Sequence, residues 1–230
     1  STEEHLLRGT LAHAFFEAIG RGMDAEKAKL LVMEAFERIQ DVPQWQLRFK
    51  LDEFSTLLDR AQEWARQSEV NQELAGVEIP VGVRVSEEVR IGGYMDRLLR
   101  DEEGNYLVVD LKTGRSKPAK KEGEDHVQLM TYQLALAHGA FDGHQVHDGE
   151  GMPRQGGVLV YPGATTKKIG ELWQSDKSPE ALEEFAALLP PLVEEMRGPR
   201  ITARTNKDCD KCPIRSICPV QEEGRMTTDA

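Results

Sequence analysis

A turn between two apolar runs in the middle of the chain places the strongest constraint on its fold. Residues 101–105 read Asp-Glu-Glu-Gly-Asn, and runs rich in apolar and β-branched residues lie on either side, a pattern typical of a β-hairpin. If residues 102–104 form the loop and Gly104 takes the left-handed conformation, the register places Asp96 directly opposite Asp110. Cross-strand partners of this kind have Cβ atoms about 4.5–5.5 Å apart, where like charges repel each other.

The residues that follow Asp110 extend this pattern. Lys112 lies two positions further along the same strand, so it projects from the same face as Asp110, while Leu111 points the other way. Two facing carboxylates require a cation, and an ammonium group beside them can steer a water molecule or a phosphate. The pattern predicts a divalent-metal phosphodiesterase site. Acidic residues are also common at strand ends, so an Asp-x-Lys triplet alone is equally typical of an ordinary strand.

The remaining hydrophobic pattern predicts a mixed α/β core. The predicted elements are helices over 6–19, 28–39 and 51–70, an alternating strand over 77–85, the hairpin, a helix over 125–137, a loop over 139–156, a strand over 157–161, a helix over 181–196 and an irregular tail from 198. Pro190 and Pro191 are expected to kink or divide the last helix. Helices before and after a mainly antiparallel hairpin region indicate one central sheet with flanking helices.

The 230 residues are consistent with one domain. We predict a helical part over 1–75, a sheet and helix core over 76–197 and a cysteine-containing tail over 198–230. Because the chain begins with Ser1 rather than Met, it is expected to be a piece of a longer protein. No apolar run approaches the roughly 20 residues of a membrane span, so no membrane partner is expected.

The net charge of −11 argues against a strongly basic nucleic-acid surface. Positive charge is nevertheless concentrated locally. The segment 112–121 contains five Lys or Arg residues and no acid, and Lys167 and Lys168 follow a later strand. The sequence therefore predicts weak intrinsic affinity for DNA, with a partner or an attached motor delivering the strand.

A histidine in the first predicted helix is a candidate ligand. His13 lies among Ala and Phe residues, which is also typical of an ordinary core or boundary histidine. If it approaches Asp96 and Asp110, the three side chains form a mixed nitrogen and oxygen site. Carboxylates favour Mg²⁺ or Mn²⁺, and one imidazole shifts the preference toward Mn²⁺. Glu17, one turn further on, is either an outer partner of His13 or a solvated helix charge.

Two polar residues share one face of the predicted helix over 125–137. Gln128 and Tyr132 are four positions apart and therefore neighbours on the helix surface. They can present an amide and a phenol toward the hairpin, suited to a phosphate contact or to positioning Lys112. Ordinary packing explains the same pair.

All three cysteines lie close together near the C-terminus. Cys209, Cys212 and Cys218 have the spacing Cys-x2-Cys-x5-Cys, which indicates a metal centre in a reducing compartment rather than a disulfide framework. Three thiolates are one ligand short of a closed site. The fourth ligand is predicted to be His138, His5 or a cysteine outside this segment. A structural zinc site is the alternative.

Five motifs occur in a fixed order along nearly the whole chain. They are Arg-Gly-Thr-x-x-His ending at His13, Gly-x-x-Asp-Arg ending at Arg97, Asp-Leu-Lys-Thr-Gly starting at Asp110, Gln-x-x-x-Tyr from Gln128 to Tyr132, and the cysteine motif followed by Pro219. Together they resemble the RecB-type nuclease domain of the PD-(D/E)XK superfamily. The cysteine motif resembles the iron–sulfur branch, which includes AddB and the nuclease modules of the actinobacterial AdnA–AdnB helicase–nucleases.

This resemblance implies a restriction-endonuclease-like α/β core and a role for each motif residue. His13, Asp96 and Asp110 would bind Mg²⁺ or Mn²⁺, and Leu111 would add its backbone carbonyl. Lys112 would orient or activate the attacking water and stabilise negative charge. The remaining implied residues are Gln128 and Tyr132 beside the catalytic Asp96 and Asp110, and Cys209, Cys212 and Cys218 as three ligands of an iron–sulfur cluster.

The family's first cluster cysteine precedes the motif histidine, and no Cys precedes His13 here. Either that cysteine lies outside this segment or the cluster is absent. The resemblance further implies exonucleolytic trimming of single-stranded DNA beside a helicase motor, in double-strand-break repair in the bacterial cytoplasm near the nucleoid. A catalytically silent DNA-binding or structural module and a zinc-bearing protein interaction domain are the competing hypotheses.

Overall fold

A five-stranded mixed sheet organises the computed structural model, which describes residues 2–139, 151–198 and 203–222. Its elements, in chain order, are α1 (Thr2–Gly20), α2 (Ala25–Arg38), α3 (Gln44–Ser68), β1 (Glu73–Arg84), β2 (Arg90–Arg100), β3 (Tyr106–Leu111), α4 (Val127–Ala137), β4 (Arg154–Tyr161), β5 (Gly170–Gln174) and α5 (Pro179–Arg197). The strand order is β1-β2-β3-β4-β5, and only β3 and β4 run parallel among these strands. A parallel pair needs a crossover, which α4 supplies. The predicted central sheet with flanking helices is confirmed.

The predicted hairpin register is also confirmed. Arg97 lies opposite Val109 and Arg100 lies opposite Tyr106, which is the alignment that brings Asp96 toward Asp110. Gly104 has a φ of +88°, a left-handed conformation that glycine adopts without steric cost.

Alternation along the strands divides the core between the two faces of the sheet. Leu99, Val109 and Val158 pack with α1, α2 and α3 in one buried cluster. Their neighbours Leu98 and Val108 belong to the other cluster, which contains α4. Because successive side chains point to opposite faces, an apolar strand of this kind requires helices on both sides.

Three elements differ from the sequence prediction. Helix α3 begins at Gln44, after Pro43, rather than at the predicted residue 51. The prediction missed its first turns because their apolar side chains are exposed and form no periodic stripe. The five-residue strand β5 was not predicted, since only Gly170, Leu172 and Gln174 of it are buried. Helix α5 continues through Pro190 and Pro191 without division. Much of the predicted loop over 139–156 lies outside the described residues.

The chain forms two compact units, residues 1–186 and 187–230, and the division falls within α5. All candidate residues of the hairpin site lie in the first unit, and the three cysteines lie in the second. Within the described part of the chain, no helix has the length and apolar character needed to cross a bilayer.

Candidate metal centre and active site

Helix α1 and strands β1 and β2 bring an imidazole and two carboxylates together. His13, Glu78 and Asp96 each offer a ligand atom, and these atoms lie within 4.8 Å of one another. Among the described residues this is the one such group of three. One imidazole nitrogen and carboxylate oxygens form a donor set suited to Mn²⁺ or Mg²⁺.

Glu78 was missed in the sequence prediction. Val77 pairs with Arg97 and Ile79 pairs with Met95, so Glu78 falls across from Asp96. Its φ of +47° is rare for a residue with a long side chain and stores about 1–3 kcal/mol of backbone strain. The only sequence signal was its polar position within the alternating run of β1, which does not reveal the pairing of β1 with β2.

Asp96 connects the helix to the hairpin. Its Oδ1 lies 3.2 Å from His13 Nδ1, and its Oδ2 accepts a hydrogen bond of 2.6 Å from the backbone N–H of Leu111. The predicted ligand Leu111 thus contacts the site through its N–H, while its side chain is buried under the helices. Asp96 is 8% exposed, so its carboxylate opens only into this cluster.

Asp110, a predicted ligand, is not a member of this group of three. It is 2% exposed and close enough to Asp96 and His13 for their charges to act on it. Its Oδ1 accepts a hydrogen bond of 2.6 Å from Gln128 Nε2. Its Oδ2 forms an ion pair of 2.6 Å with Lys112 Nζ but accepts no hydrogen bond of suitable angle. Such a buried, under-satisfied carboxylate oxygen is available to a metal ion.

The pair on α4 holds Lys112 and Asp110 in place. Gln128 Oε1 accepts a hydrogen bond of 2.6 Å from Lys112 Nζ, and Gln128 Nε2 donates to Tyr132 Oη at 2.8 Å. Tyr132 Oη in turn donates to the carbonyl oxygen of Tyr94 at 2.6 Å. Burial and the charge of Asp110 raise the pKa of Tyr132, so the phenol stays protonated and acts as a donor.

Protonation equilibria show that the centre carries excess negative charge. Burial and the charge of Asp96 raise the pKa of Asp110, against the opposing effect of Lys112. Burial and the charges of Asp96 and Glu17 raise the pKa of Glu78. Burial alone lowers the pKa of His13, but the contact with Asp96 and the nearby carboxylate charges outweigh it, so that pKa is raised. All three shifts favour the protonated form of the group, and a bound cation would relieve the same repulsion.

A buried arginine fixes the helix that carries His13. Arg97 is 1% exposed; it donates to the carbonyl oxygen of Phe16 at 2.8 Å and to Glu69 Oε1 at 2.6 Å, and it lies 4.0 Å from the Phe16 ring centroid. Because Phe16 is one turn beyond His13, this contact sets the position of α1 against β2. Gly20 permits the close approach of α1 to the sheet, since a Cβ there would lie 2.4 Å from Val77 Cγ1 on β1.

The centre opens to solvent through a cleft of about 610 Å³ beside α1. The lining includes Gly9, Thr10, His13 and Thr113. Glu17 also lines this cleft, and its Oε1 accepts a hydrogen bond of 2.7 Å from Arg21 Nε.

Comparison with known proteins identifies the family. The sequence model of the PD-(D/E)XK nuclease superfamily matches residues 1–219. The chain belongs to this superfamily. A solved structure titled "Crystal structure of SSO0001" is 19% identical, covers 92% of this chain and 85% of its own, and superposes with a TM-score of 0.40. A search of curated proteins found no match.

Membership in the PD-(D/E)XK superfamily implies metal-dependent nuclease activity and DNA as the binding partner. It agrees with the described fold, so the predicted restriction-endonuclease-like α/β core is confirmed. The donor set of the centre and its raised pKa values fit the divalent metal that such nucleases use.

The predicted iron–sulfur cluster is not supported by the described part of the second unit. The chain has three cysteines, which lie half-buried as free thiols. In the part of the chain that the structure describes, they do not form a group of three converging ligand atoms. The backbone N–H of Asn206 donates to Cys209 Sγ at 3.1 Å, so this sulfur accepts a hydrogen bond within a local turn.

Proposed function

We propose that this PD-(D/E)XK chain hydrolyses DNA phosphodiesters, with single strands as the preferred substrate. One observation carries the proposal: the ligand atoms of His13, Glu78 and Asp96 lie within 4.8 Å of one another, beside the ion pair of Asp110 and Lys112. Ordinary strand-end acids are solvated, whereas Asp96 and Asp110 are buried together.

In this proposal His13, Asp96, Asp110 and the carbonyl of Leu111 would hold Mn²⁺ or Mg²⁺, and Glu78 would contribute a further carboxylate. A metal bound there would supply Lewis acidity, a lowered pKa for a water ligand and compensation of charge on the phosphoryl oxygens.

Lys112 orients the attacking water and stabilises negative charge as the phosphorane-like transition state forms. Gln128 limits the freedom of Lys112 through the 2.6 Å hydrogen bond to its ammonium group. Tyr132 holds Gln128 in turn. These two α4 residues therefore keep the Lys112 donor aimed at the reacting phosphate without exchanging a proton themselves.

We further propose an exonucleolytic activity that trims strands delivered by a helicase motor, in cis or in trans, during double-strand-break processing and recombinational repair in the bacterial cytoplasm, associated with the nucleoid. The order of the five motifs supports this assignment to the AddB and AdnA–AdnB branch. The three-part organisation over 1–75, 76–197 and 198–230 belongs to the same proposal. An iron–sulfur cluster takes no part in the proposed reaction, and elemental analysis for iron and zinc distinguishes a cluster from a zinc site.

The test is cleavage of a labelled single-stranded oligonucleotide with Mn²⁺, with Mg²⁺ and with EDTA. Asp110→Asn and Lys112→Ala are expected to lower the rate by about 10²- to 10³-fold or more. Asp59→Asn is the matched control, because Asp59 is an exposed carboxylate paired with Lys29. Circular dichroism checks that each variant is folded. Cleavage that persists in EDTA, or in both site variants, refutes this function for the site. A wild-type chain that binds the strand but does not cleave it with either metal favours a silent DNA-binding module.

A further inference from the structure

Two large aromatic side chains project into solvent from the first turns of α3. Trp45 is 73% exposed and Phe49 is 61% exposed. They are four residues apart, so they lie on one face of the helix about 6 Å apart along its axis. Exposed aromatic pairs of this kind mark interaction surfaces rather than core.

The same face of α3 leads directly to positively charged loops. One turn beyond Phe49, Glu53 forms an ion pair of 2.5 Å with Arg115. Further along the face, Arg60 donates hydrogen bonds to the carbonyl oxygens of Ala164 and Lys168. Helix α3 therefore supports both connections, 112–121 and 164–168, from its aromatic end onward.

These two segments, here called the basic loops, are joined to each other and to the metal cleft. The backbone N–H of Thr165 donates to the carbonyl oxygen of Arg115 at 3.3 Å. Thr113 lines the cleft with His13. The exposed cations Lys120, Lys121, Lys167 and Lys168 are carried on these loops in a chain whose net charge is −11.

We propose that Trp45 and Phe49 stack the bases of a single DNA strand whose phosphates run along the basic loops into the metal cleft. This inference rests on the proposed nuclease function and names the path of its substrate. Cationic grooves combined with aromatic platforms bind single strands without base preference, because every base has a π-face. Charge complementarity selects this occupant: Arg115 lies against α3 one turn beyond the aromatic pair, on basic loops that carry further exposed lysines. Leu30 and Leu31 on α2 are exposed as well but offer no aromatic face.

The test measures binding of a labelled oligothymidylate in EDTA, and cleavage of the same strand with Mn²⁺. Trp45→Ala/Phe49→Ala is expected to weaken binding about 10- to 100-fold and to raise KM while kcat is retained. Trp45→Phe and Phe49→Trp preserve a π-face and are expected to restore most of the affinity. Hydrolysis of bis(p-nitrophenyl) phosphate, which has no bases and does not need the platform, is expected to be unchanged.

Leu30→Ala/Leu31→Ala is the matched control and is expected to leave every measurement unchanged. Wild-type affinity in the aromatic double variant overturns the proposal, and so does a variant that alters only self-association, which would assign the surface to protein contacts. A wild-type chain that binds the strand through Trp45 but cleaves neither substrate refutes the nuclease function and leaves this inference standing. A wild-type chain that neither binds nor cleaves refutes both.

Discussion

Two polar clusters flank α4, and they balance their charge in opposite ways. In the first, called here the glutamine network, Gln174 Nε2 lies within hydrogen-bonding distance of the carbonyl oxygens of Gly123, Glu124 and His126. Gln133 Nε2 donates to Gln174 Oε1 at 2.9 Å. The hydrogen bonds from Lys177 and Ser175 hold the pKa of Glu124 at about 2.

The metal centre shows the reverse pattern. The pKa values of His13, Glu78 and Asp110 are all raised, and the buried Asp110 Oδ2 has an ion pair with Lys112 but no hydrogen bond of suitable angle. Buried polar side chains therefore have two different roles in this molecule. The glutamine network closes on itself and stabilises the fold, whereas the metal centre remains incomplete and is suited to a cation.

The strongest test of this difference between the two clusters is to neutralise one acid from each. Glu78→Gln is expected to lower metal-dependent cleavage by about 10²-fold or more, because it removes a carboxylate from the site of charge stabilisation. Glu124→Gln is expected to leave cleavage unchanged. The measurement is the initial rate with Mn²⁺ on a single-stranded oligonucleotide, and equal rates for the two variants contradict the distinction.

The second prediction concerns stability. Gln174 is 1% exposed, and Gln174→Ala removes the donor to the Glu124 carbonyl oxygen and the acceptor of the Gln133 side chain. It is expected to lower the free energy of unfolding by about 1–3 kcal/mol. Gln67→Ala removes an exposed amide that contacts Glu63 and is expected to change it by less than about 0.5 kcal/mol. Urea titration measures both, and similar midpoints would show that the glutamine network does not stabilise the fold.

The third prediction uses the sign of the pKa shifts. The raised pKa values of His13 and Asp110 contribute stability below their unfolded values, and that stability is lost as the pH rises through the folded values. A divalent cation replaces the lost protons, so the stabilisation of the folded chain by the cation grows as the pH rises. Near saturation at about pH 8, Mn²⁺ is expected to raise Tm by about 5–10 °C, with a smaller increase at about pH 5.5. An increase that is larger at low pH contradicts the assignment.

The smallest effect is expected at Glu124. Its pKa of about 2 means that its stabilisation is present above the unfolded value and is lost as the pH falls toward 2. Because this carboxylate is largely exposed, Glu124→Gln is expected to cost less than about 1 kcal/mol at neutral pH. The difference from wild type should vanish in acid, and thermal melts between about pH 2 and pH 7 measure it.

Local pattern was sufficient for much of the fold and for part of the candidate site. The hairpin register follows from one turn and its glycine, and it placed Asp96 near Asp110 before any tertiary information. The i, i+4 spacing put Gln128 and Tyr132 on one face of α4. Both deductions depend on residues close together in the chain, where geometry has few alternatives.

The remainder depends on contacts between distant segments. Glu78 joins His13 and Asp96 only because β1 pairs with β2 in one particular register, and no turn residue specifies that register. Trp45 and Phe49 interrupt the apolar periodicity of α3 because they face solvent, so the pattern concealed the first turns of that helix. Residues selected for binding break the local rules by which elements are recognised.

The guanidinium of Arg97 also links the packing of α1 and α3 to the hairpin. It is compensated by a carbonyl from α1 and a carboxylate at the end of α3, so detaching either helix leaves a cation stranded in an apolar interior. Docking of the two helices against the hairpin is therefore expected to be cooperative. Because α1 carries His13, the imidazole reaches Asp96 only when this helix is docked on the hairpin.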